Sequence, residues 1–197
     1  MTSRGGTRLV WVDVFAVRPL TGNPLAVVLD ADGWDAATMQ AVASELGLSE
    51  TVFVLAPSDA SAAARLRIFT PTRELPMAGH PVVGAAWVLR QEGRITRRGA
   101  VETGVGPLEV RVDEHVATME QARPQAGPVV DAAEVAAALG VSAASTPAAQ
   151  VWSTGIPQLM LPVDDEDAVR RARPDPARVA ALGERDGLDL LETMRHE

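Results

Sequence analysis

Glu74-Leu75-Pro76-Met77-Ala78-Gly79-His80-Pro81 runs directly into Val82-Val83-Gly84-Ala85-Ala86-Trp87-Val88-Leu89, and the reading of this stretch decides the fold. Its second half is apolar on nearly every face of a 3.6-residue period, the pattern of a helix buried in a core rather than lying on a surface. Proline suits the first helical position, so Pro81 predicts the start of that helix and makes His80 its capping residue. The backbone N–H groups at such a start point at whatever approaches it.

Upstream, Val10-Trp11-Val12-Asp13-Val14-Phe15 and Leu25-Ala26-Val27-Val28-Leu29 read as a strand pair around the turn Thr21-Gly22-Asn23-Pro24. A helix follows, capped by Asp35, with Trp34 and Met39 at staple positions, an apolar stripe of Met39, Val42, Ala43 and Leu46, and Gly47 as its stop. Thr51-Val52-Phe53-Val54-Leu55 is a third strand, and Arg65-Leu66-Arg67-Ile68-Phe69 a fourth with its arginines on one face. Downstream, Leu108-Glu109-Val110-Arg111-Val112 and Val116-Ala117-Thr118-Met119-Glu120 flank Asp113-Glu114-His115 as a hairpin. Residues 121–128, with two prolines, read as a linker; residues 131–139 as a short helix with Asp131 and Glu134 spaced as a capping box and Gly140 as its stop; residues 141–149 as loop.

Composition removes whole classes of chemistry. The 197 residues are 47% hydrophobic and 22% charged, enough for one large domain or two small ones. Cysteine is absent and all 18 basic residues are arginine, which excludes a thiol nucleophile, a disulfide, a Cys-ligated zinc, a phosphate-loop lysine and a Schiff-base lysine. Acid–base chemistry is left to Asp, Glu and the histidines His80, His115 and His196. A net charge of −8 argues against a nucleic-acid partner, and no apolar run is long enough for a membrane span. The polar start of the chain, without an apolar signal core, leads to the expectation of a cytoplasmic protein.

The chain also repeats itself. Thr21-Gly22-Asn23-Pro24 before an apolar strand recurs as Thr154-Gly155-Ile156-Pro157 before Gln158-Leu159-Met160-Leu161-Pro162-Val163, an offset of 133 residues. Asp175 then caps, Pro176 takes the first turn, and Gly187-Leu188-Asp189 stands where Gly47-Leu48-Ser49 stood, an offset of 140. The seven-residue difference falls in the segment from Asp164 to Pro174. This predicts two related lobes, at residues 8–122 and 129–197, with a site between them; the second is read as truncated, because the counterpart of the Gly-His helix start would fall beyond residue 197.

Asp13-Val14-Phe15, Gly22-Asn23-Pro24-Leu25-Ala26-Val27-Val28, Leu48-Ser49-Glu50-Thr51-Val52-Phe53-Val54, Arg67-Ile68-Phe69-Thr70-Pro71 and the Glu74 to Pro81 segment, in this order, closely resemble the PhzF family of phenazine biosynthesis isomerases. The resemblance implies the α+β fold of diaminopimelate epimerase: two similar lobes, each a sheet curled around a central helix, with the second incomplete here. It also implies a cofactor-independent, metal-free isomerase, whose type enzyme acts on trans-2,3-dihydro-3-hydroxyanthranilate while a glutamate moves a proton between ring carbons. Carried over by motif, that glutamate is Glu50, and His80 is the histidine beside it. Such a carboxylate needs partial desolvation to raise its pKa toward neutrality. The N–H groups of Gly79 and His80 would hold a substrate carboxylate, and the helix dipole would keep His80 neutral. The family's second-lobe motif, a Gly-rich Asp-Pro segment with a Gly-Ser helix start, has no match after Leu190.

The partner expected from these features is a small cyclic or amino-acid-like carboxylate, with a homodimer as a further possibility. Asn23 reads as a turn residue or as site-lining and substrate-binding; Arg73 and Glu74 read as an exposed loop pair, and His115 and His196 carry no role. Asp164-Asp165-Glu166-Asp167 lacks the glycine and alternation of a calcium loop and reads as a helix start. Gly104-Val105-Gly106 is too short for a dinucleotide fingerprint. The alternative to an isomerase is a non-catalytic remnant that binds a small carboxylate or self-associates through an uncovered apolar face.

Overall fold

The computed structural model describes residues 7–144 and 147–186. It separates into two compact units, Met1–Gln121 and Ala122–Glu197. The first contains β1 (Arg8–Val14), β2 (Asn23–Leu29), α1 (Ala36–Leu46), β3 (Thr51–Leu55), β4 (Ala64–Phe69), β5 (Glu74–Leu75), α2 (Gly79–Gln91), β6 (Arg98–Thr103), β7 (Gly106–Val112) and β8 (Ala117–Met119). The strands form one sheet in the order β1-β2-β3-β4-β6-β7-β8, with β5 alongside β4. Helix α2 packs against β1, β2 and β3 and also against β7 and β8. Both ends of the strand order meet the same helix, so the sheet curls around it.

Apolarity on every side of α2 is what this arrangement consumes. Val82, Ala85, Ala86, Val88 and Leu89 are buried among Leu25, Val27, Val52, Leu66, Ile68, Val101 and Val110, which come from strands all round the helix. Each large side chain so buried contributes about 1.5–3 kcal/mol. Gly84 lies where the helix comes closest to the sheet: a Cβ there would stand 2.6 Å from Leu25 Cδ2 and 2.8 Å from Val14 Cγ2.

A second, outer cluster explains why β3 is buried along nearly its whole length. Val52 and Val54 face the α2 core, whereas Phe53 faces the opposite way, onto Met39 and Ala43 of α1 and onto Phe69. Alternation along a strand thus feeds two cores, because this part of the sheet is covered on both faces. Helix α1 is capped as its sequence predicts: Asp35 accepts from the Thr38 N–H at 2.8 Å, which holds its carboxyl below the usual range, and Gly47 ends the helix at φ 64° with its N–H on Ala43 O. The loop from β3 to β4 is tied down by the buried Glu102 of β6, whose carboxylate accepts from Ser58 N (3.0 Å), Ser58 Oγ (2.6 Å) and Asp59 N (2.6 Å).

The second unit holds β9 (Gln125–Val129), α3 (Ala132–Leu139), β10 (Gln150–Ser153), β11 (Pro157–Met160), α4 (Glu166–Arg170) and α5 (Pro176–Asp186). Its sheet is antiparallel, in the order β11-β10-β9, and Val135, Ala138, Val179 and Leu182 join α3 to α5. The internal repeat is visible in these elements. β1 pairs antiparallel with β2, and β10 with β11; α5 begins 140 residues after α1, and α4 occupies the segment that carries the seven-residue difference. The glycine of each turn is held from the end of the preceding strand, Gly22 N by Asp13 Oδ1 at 3.1 Å and Gly155 N by Ser153 Oγ at 3.2 Å. Asp175 caps α5 through Ala177 N and Arg178 N, and Asp165 caps α4 through Ala168 N. Gly187, read as the stop of the last helix, lies outside the described residues, as does His196.

Four local expectations are corrected. Asn23 and Pro24 already belong to β2, opposite Val14 and Asp13, so the turn is the preceding loop, in which Phe15 and Leu20 take positive φ. Part of the expected linker is strand β9, which tolerates its proline because it lies at the edge of its sheet. Asp131 caps α3 through Ala133 N at 2.9 Å, while the Glu134 carboxylate is engaged by Arg185 Nη1, so the reciprocal capping box does not form. The fourth is the start of α2. Ala78, with extended backbone at φ −151° and ψ 144°, is the N-cap and makes no side-chain cap bond; His80 is the second helical residue and Pro81 the third. Proline is tolerated there because the first-turn N–H groups have no intrahelical partner in any case.

Candidate active site

Strands β2 and β3 run parallel, with Ala26 beside Thr51, so both begin at the same end of the sheet. Asn23 opens β2, and Glu50 stands immediately before β3, where the left-handed turn at Gly47 has delivered the chain from α1. The first turn of α2 lies at this same end, because His80 reaches both residues. Its Nε2 is 3.5 Å from Glu50 Oε2, and its Nδ1 is 3.2 Å from Asn23 Nδ2. Three positions separated by up to 57 residues therefore meet in one cluster.

The cluster is withdrawn from water. The side chains of Glu50 and His80 are only 9% and 10% exposed, and Thr51 beside them is buried. Burial penalises a charged carboxylate unless nearby donors stabilise it; the 3.5 Å approach of His80 Nε2 to Glu50 Oε2 is a close contact and not a formed hydrogen bond. The first intrahelical bond of α2 is donated by Val82 N to Ala78 O. The N–H groups of Gly79 and His80 therefore precede the hydrogen-bond ladder and point out of the positive end of the helix dipole, an arrangement suited to a carboxylate or a developing negative charge. A Cβ placed on Gly79 would stand in ordinary van der Waals contact with Met119 Cε and Gln121 Nε2, both at 3.9 Å.

One participant went unread in the sequence. Ser49, adjacent to Glu50, donates its hydroxyl to Asn23 Oδ1 at 3.4 Å. It lies within the Leu48-Ser49-Glu50 block, and that block is the only sequence signal that could have singled it out. Asn23 itself engages side chains of the cluster at both ends of its amide. Glu74 is committed elsewhere, gripping Arg67 through both oxygens at 2.7 and 2.6 Å, and Arg73 is exposed. The carboxylate holds the Arg67 guanidinium above its ordinary pKa. His115 sits in the β7–β8 turn. Among the described residues no cluster of His, Asp and Glu has the makings of a metal site, and no helix is long and apolar enough to cross a membrane.

Comparison with known proteins gives one consistent result. The family model described as phenazine biosynthesis-like protein matches residues 12–191. An uncharacterized isomerase of Mesorhizobium japonicum is 39% identical over 83% of this chain and 58% of its own length. Trans-2,3-dihydro-3-hydroxyanthranilate isomerase of Pseudomonas fluorescens is 36% identical over 84% of this chain and 60% of its own. Among solved structures, the PhzF-family phenazine biosynthesis protein of Bacillus anthracis superposes with a TM-score of 0.75 at 31% identity, covering 89% of this chain and 62% of that one. The chain thus spans about three fifths of the length of the curated relatives it matches. With the curled sheet and the buried α2 alongside these matches, the chain belongs to the phenazine biosynthesis-like (PhzC-PhzF) family and has its diaminopimelate epimerase-like α+β fold.

Proposed function

We propose that the chain carries the proton-transfer half-site of an isomerase acting on a small carboxylate of the trans-2,3-dihydro-3-hydroxyanthranilate type. The observation that supports this most directly is the buried contact between Glu50 and His80 at the start of α2. Glu50 is the proton carrier in this reading: its carboxylate removes a proton from one carbon of the substrate, the double bond shifts, and the carboxyl group returns the proton to another carbon. One C–H bond breaks and one forms, so the reaction needs no redox partner. The N–H groups of Gly79 and His80 bind the substrate carboxylate or the charge that develops on the ring during transfer. Screening from water keeps the abstracted proton from being lost to solvent before it is returned. The Pseudomonas fluorescens relative, a trans-2,3-dihydro-3-hydroxyanthranilate isomerase, agrees with this reading.

The test is incubation of the purified chain with trans-2,3-dihydro-3-hydroxyanthranilate in D₂O, following deuterium in substrate and product by mass spectrometry. Glu50→Gln keeps the size of the side chain and removes its basicity; it is expected to lower exchange by about 10²-fold or more. Exchange that continues unchanged in Glu50→Gln overturns the assignment.

A further inference from the structure

The start of α2 is reached from both edges of the curled sheet. Asn23 and Glu50 approach it from the beginnings of β2 and β3, near one end of the strand order, whereas β8 is the last strand at the other. Antiparallel pairing carries the extended chain one residue beyond Met119, where Glu120 N donates to Glu109 O. Alternate residues of an extended chain share a face, so Met119 and Gln121 turn the same way and the exposed Glu120 the other. Both meet the first residue of the helix: Met119 Cε and Gln121 Nε2 each lie 3.9 Å from the Cβ position of Gly79. Met119 is partly buried against the α2 core, while Gln121 is exposed, and among the described residues its carboxamide makes no hydrogen bond. The curl thus brings an acid and a histidine to one side of the helix start and an amide to the other.

We infer that Gln121 is a substrate-binding residue of this site, its carboxamide donating to the same substrate carboxylate that meets the Gly79 and His80 N–H groups. The inference rests on the reading of Glu50 given above and adds how the substrate is held there. A carboxylate offers about four lone-pair positions, so two backbone N–H groups leave room for a further donor, and an amide can turn its NH₂ toward an anion. An uncharged donor suits this place for a second reason. A cation beside Glu50 would favour the ionised carboxylate and lower its basicity, whereas an amide binds the substrate anion without that effect.

Binding can be read apart from turnover with 3-hydroxyanthranilate, which keeps the carboxylate but whose aromatic ring has no proton for Glu50 to move. Titration calorimetry on the full chain compares the parent with Gln121→Leu, similar in size and without a donor, and with Gln121→Glu, which sets a like charge against the ligand. Gln121 lies on the surface, so both variants are expected to keep the circular dichroism spectrum of the parent. Gln121→Leu is expected to weaken binding by about 10-fold, the loss of one hydrogen bond to a charged group, and Gln121→Glu by more. Affinity in Gln121→Leu equal to that of the parent overturns the inference, as does a parent that binds no 3-hydroxyanthranilate at millimolar concentration. Deuterium exchange into trans-2,3-dihydro-3-hydroxyanthranilate is measured on the same samples. There Gln121→Leu is expected to raise KM by about 10-fold with kcat within about twofold, the mark of a contact made equally before and during the reaction. Binding that depends on Gln121 in a chain without exchange upholds Gln121 and defeats the isomerase reading. Exchange with an unchanged KM in Gln121→Leu does the reverse, so the two ideas fail separately.

Discussion

Adding one methyl group to Gly84 tests the close approach on which the curled sheet depends. A Cβ at this position would lie 2.6 Å from Leu25 Cδ2, 2.8 Å from Val14 Cγ2 and 3.5 Å from Val12 Cγ2. Carbon atoms in contact prefer about 3.5–4.0 Å, so two of the three contacts are short by about 1 Å. Leu25 is fully buried and Val14 nearly so, which leaves neither side chain room to turn away. Overpacking of this kind costs about 1–3 kcal/mol, against which replacing glycine by alanine inside a helix recovers about 1 kcal/mol. Gly84→Ala is therefore expected to be destabilising by about 1 kcal/mol, and Gly84→Val, which adds two more methyls and a β-branch, by about 3 kcal/mol. Gly33 supplies the control: it lies in a turn before α1, has no atom within 4 Å of a built Cβ and does not require positive φ. Gly33→Ala is expected to stabilise by about 0.4–1 kcal/mol through the unfolded chain alone. Urea unfolding followed by far-ultraviolet circular dichroism measures all three. Should Gly84→Ala gain as much stability as Gly33→Ala, α2 does not approach the sheet as described.

Phe53→Ala is expected to cost about 3–5 kcal/mol, because the ring is fully buried against Trp34 and stands edge-on to Phe69 at 5.4 Å; a midpoint shift in the same urea assay worth less than 1 kcal/mol would contradict the outer core. The hydrogen bonds from Ser58, first among them its hydroxyl, hold the Glu102 carboxyl below its usual pKa. A depressed folded-state pKa stabilises above the unfolded value and is lost as pH falls through the folded one. The stability advantage of the parent over Glu102→Gln should accordingly be present at pH 7 and shrink on acidification below about pH 4; a constant difference from pH 7 to pH 2 would show that the charge plays no part. His80→Ala removes no helix cap, since Ala78 occupies that position. It should reduce deuterium exchange while leaving the helical circular dichroism signal in place, and loss of that signal would return His80 to a structural role.

How much of this was legible in the sequence depended on whether the signal was local. Helix α1 could be read to the residue because its cap, staple and glycine stop all lie within the helix and its flanks, and β3 because its apolar run ends in polar residues on one side and proline on the other. β6 was missed: Arg98-Gly99-Ala100-Val101-Glu102-Thr103 has no clean alternation, and it becomes a strand by parallel pairing with β4 and antiparallel pairing with β7. β9 was hidden by Pro128 within it and Pro124 just before it, since a proline disqualifies a central strand but not an edge. The start of α2 was misplaced by two residues because a proline is equally acceptable at several first-turn positions. In the candidate site, Glu50 and His80 were named through motif resemblance, Gly79 through its backbone N–H at a helix start, and Asn23 as a turn or site-lining residue. Their meeting in one cluster depends on the parallel pairing of β2 with β3, which no spacing in the sequence reveals. Ser49 escaped because a serine beside a helix stop has an ordinary local explanation.

The sheet that closes around α2 also dictates an order of events during synthesis. Helix α2 is complete at Gln91, but β7 and β8, which cover part of it, end at Val112 and Met119. As the chain leaves the ribosome, a helix apolar on almost every side must wait for roughly another 30 residues before its last wall arrives. At translation rates of about 5–20 residues per second, that is an interval of seconds, long compared with the time a helix takes to form. Until Met119 emerges, the nascent protein presents its future interior to its surroundings or to a chaperone.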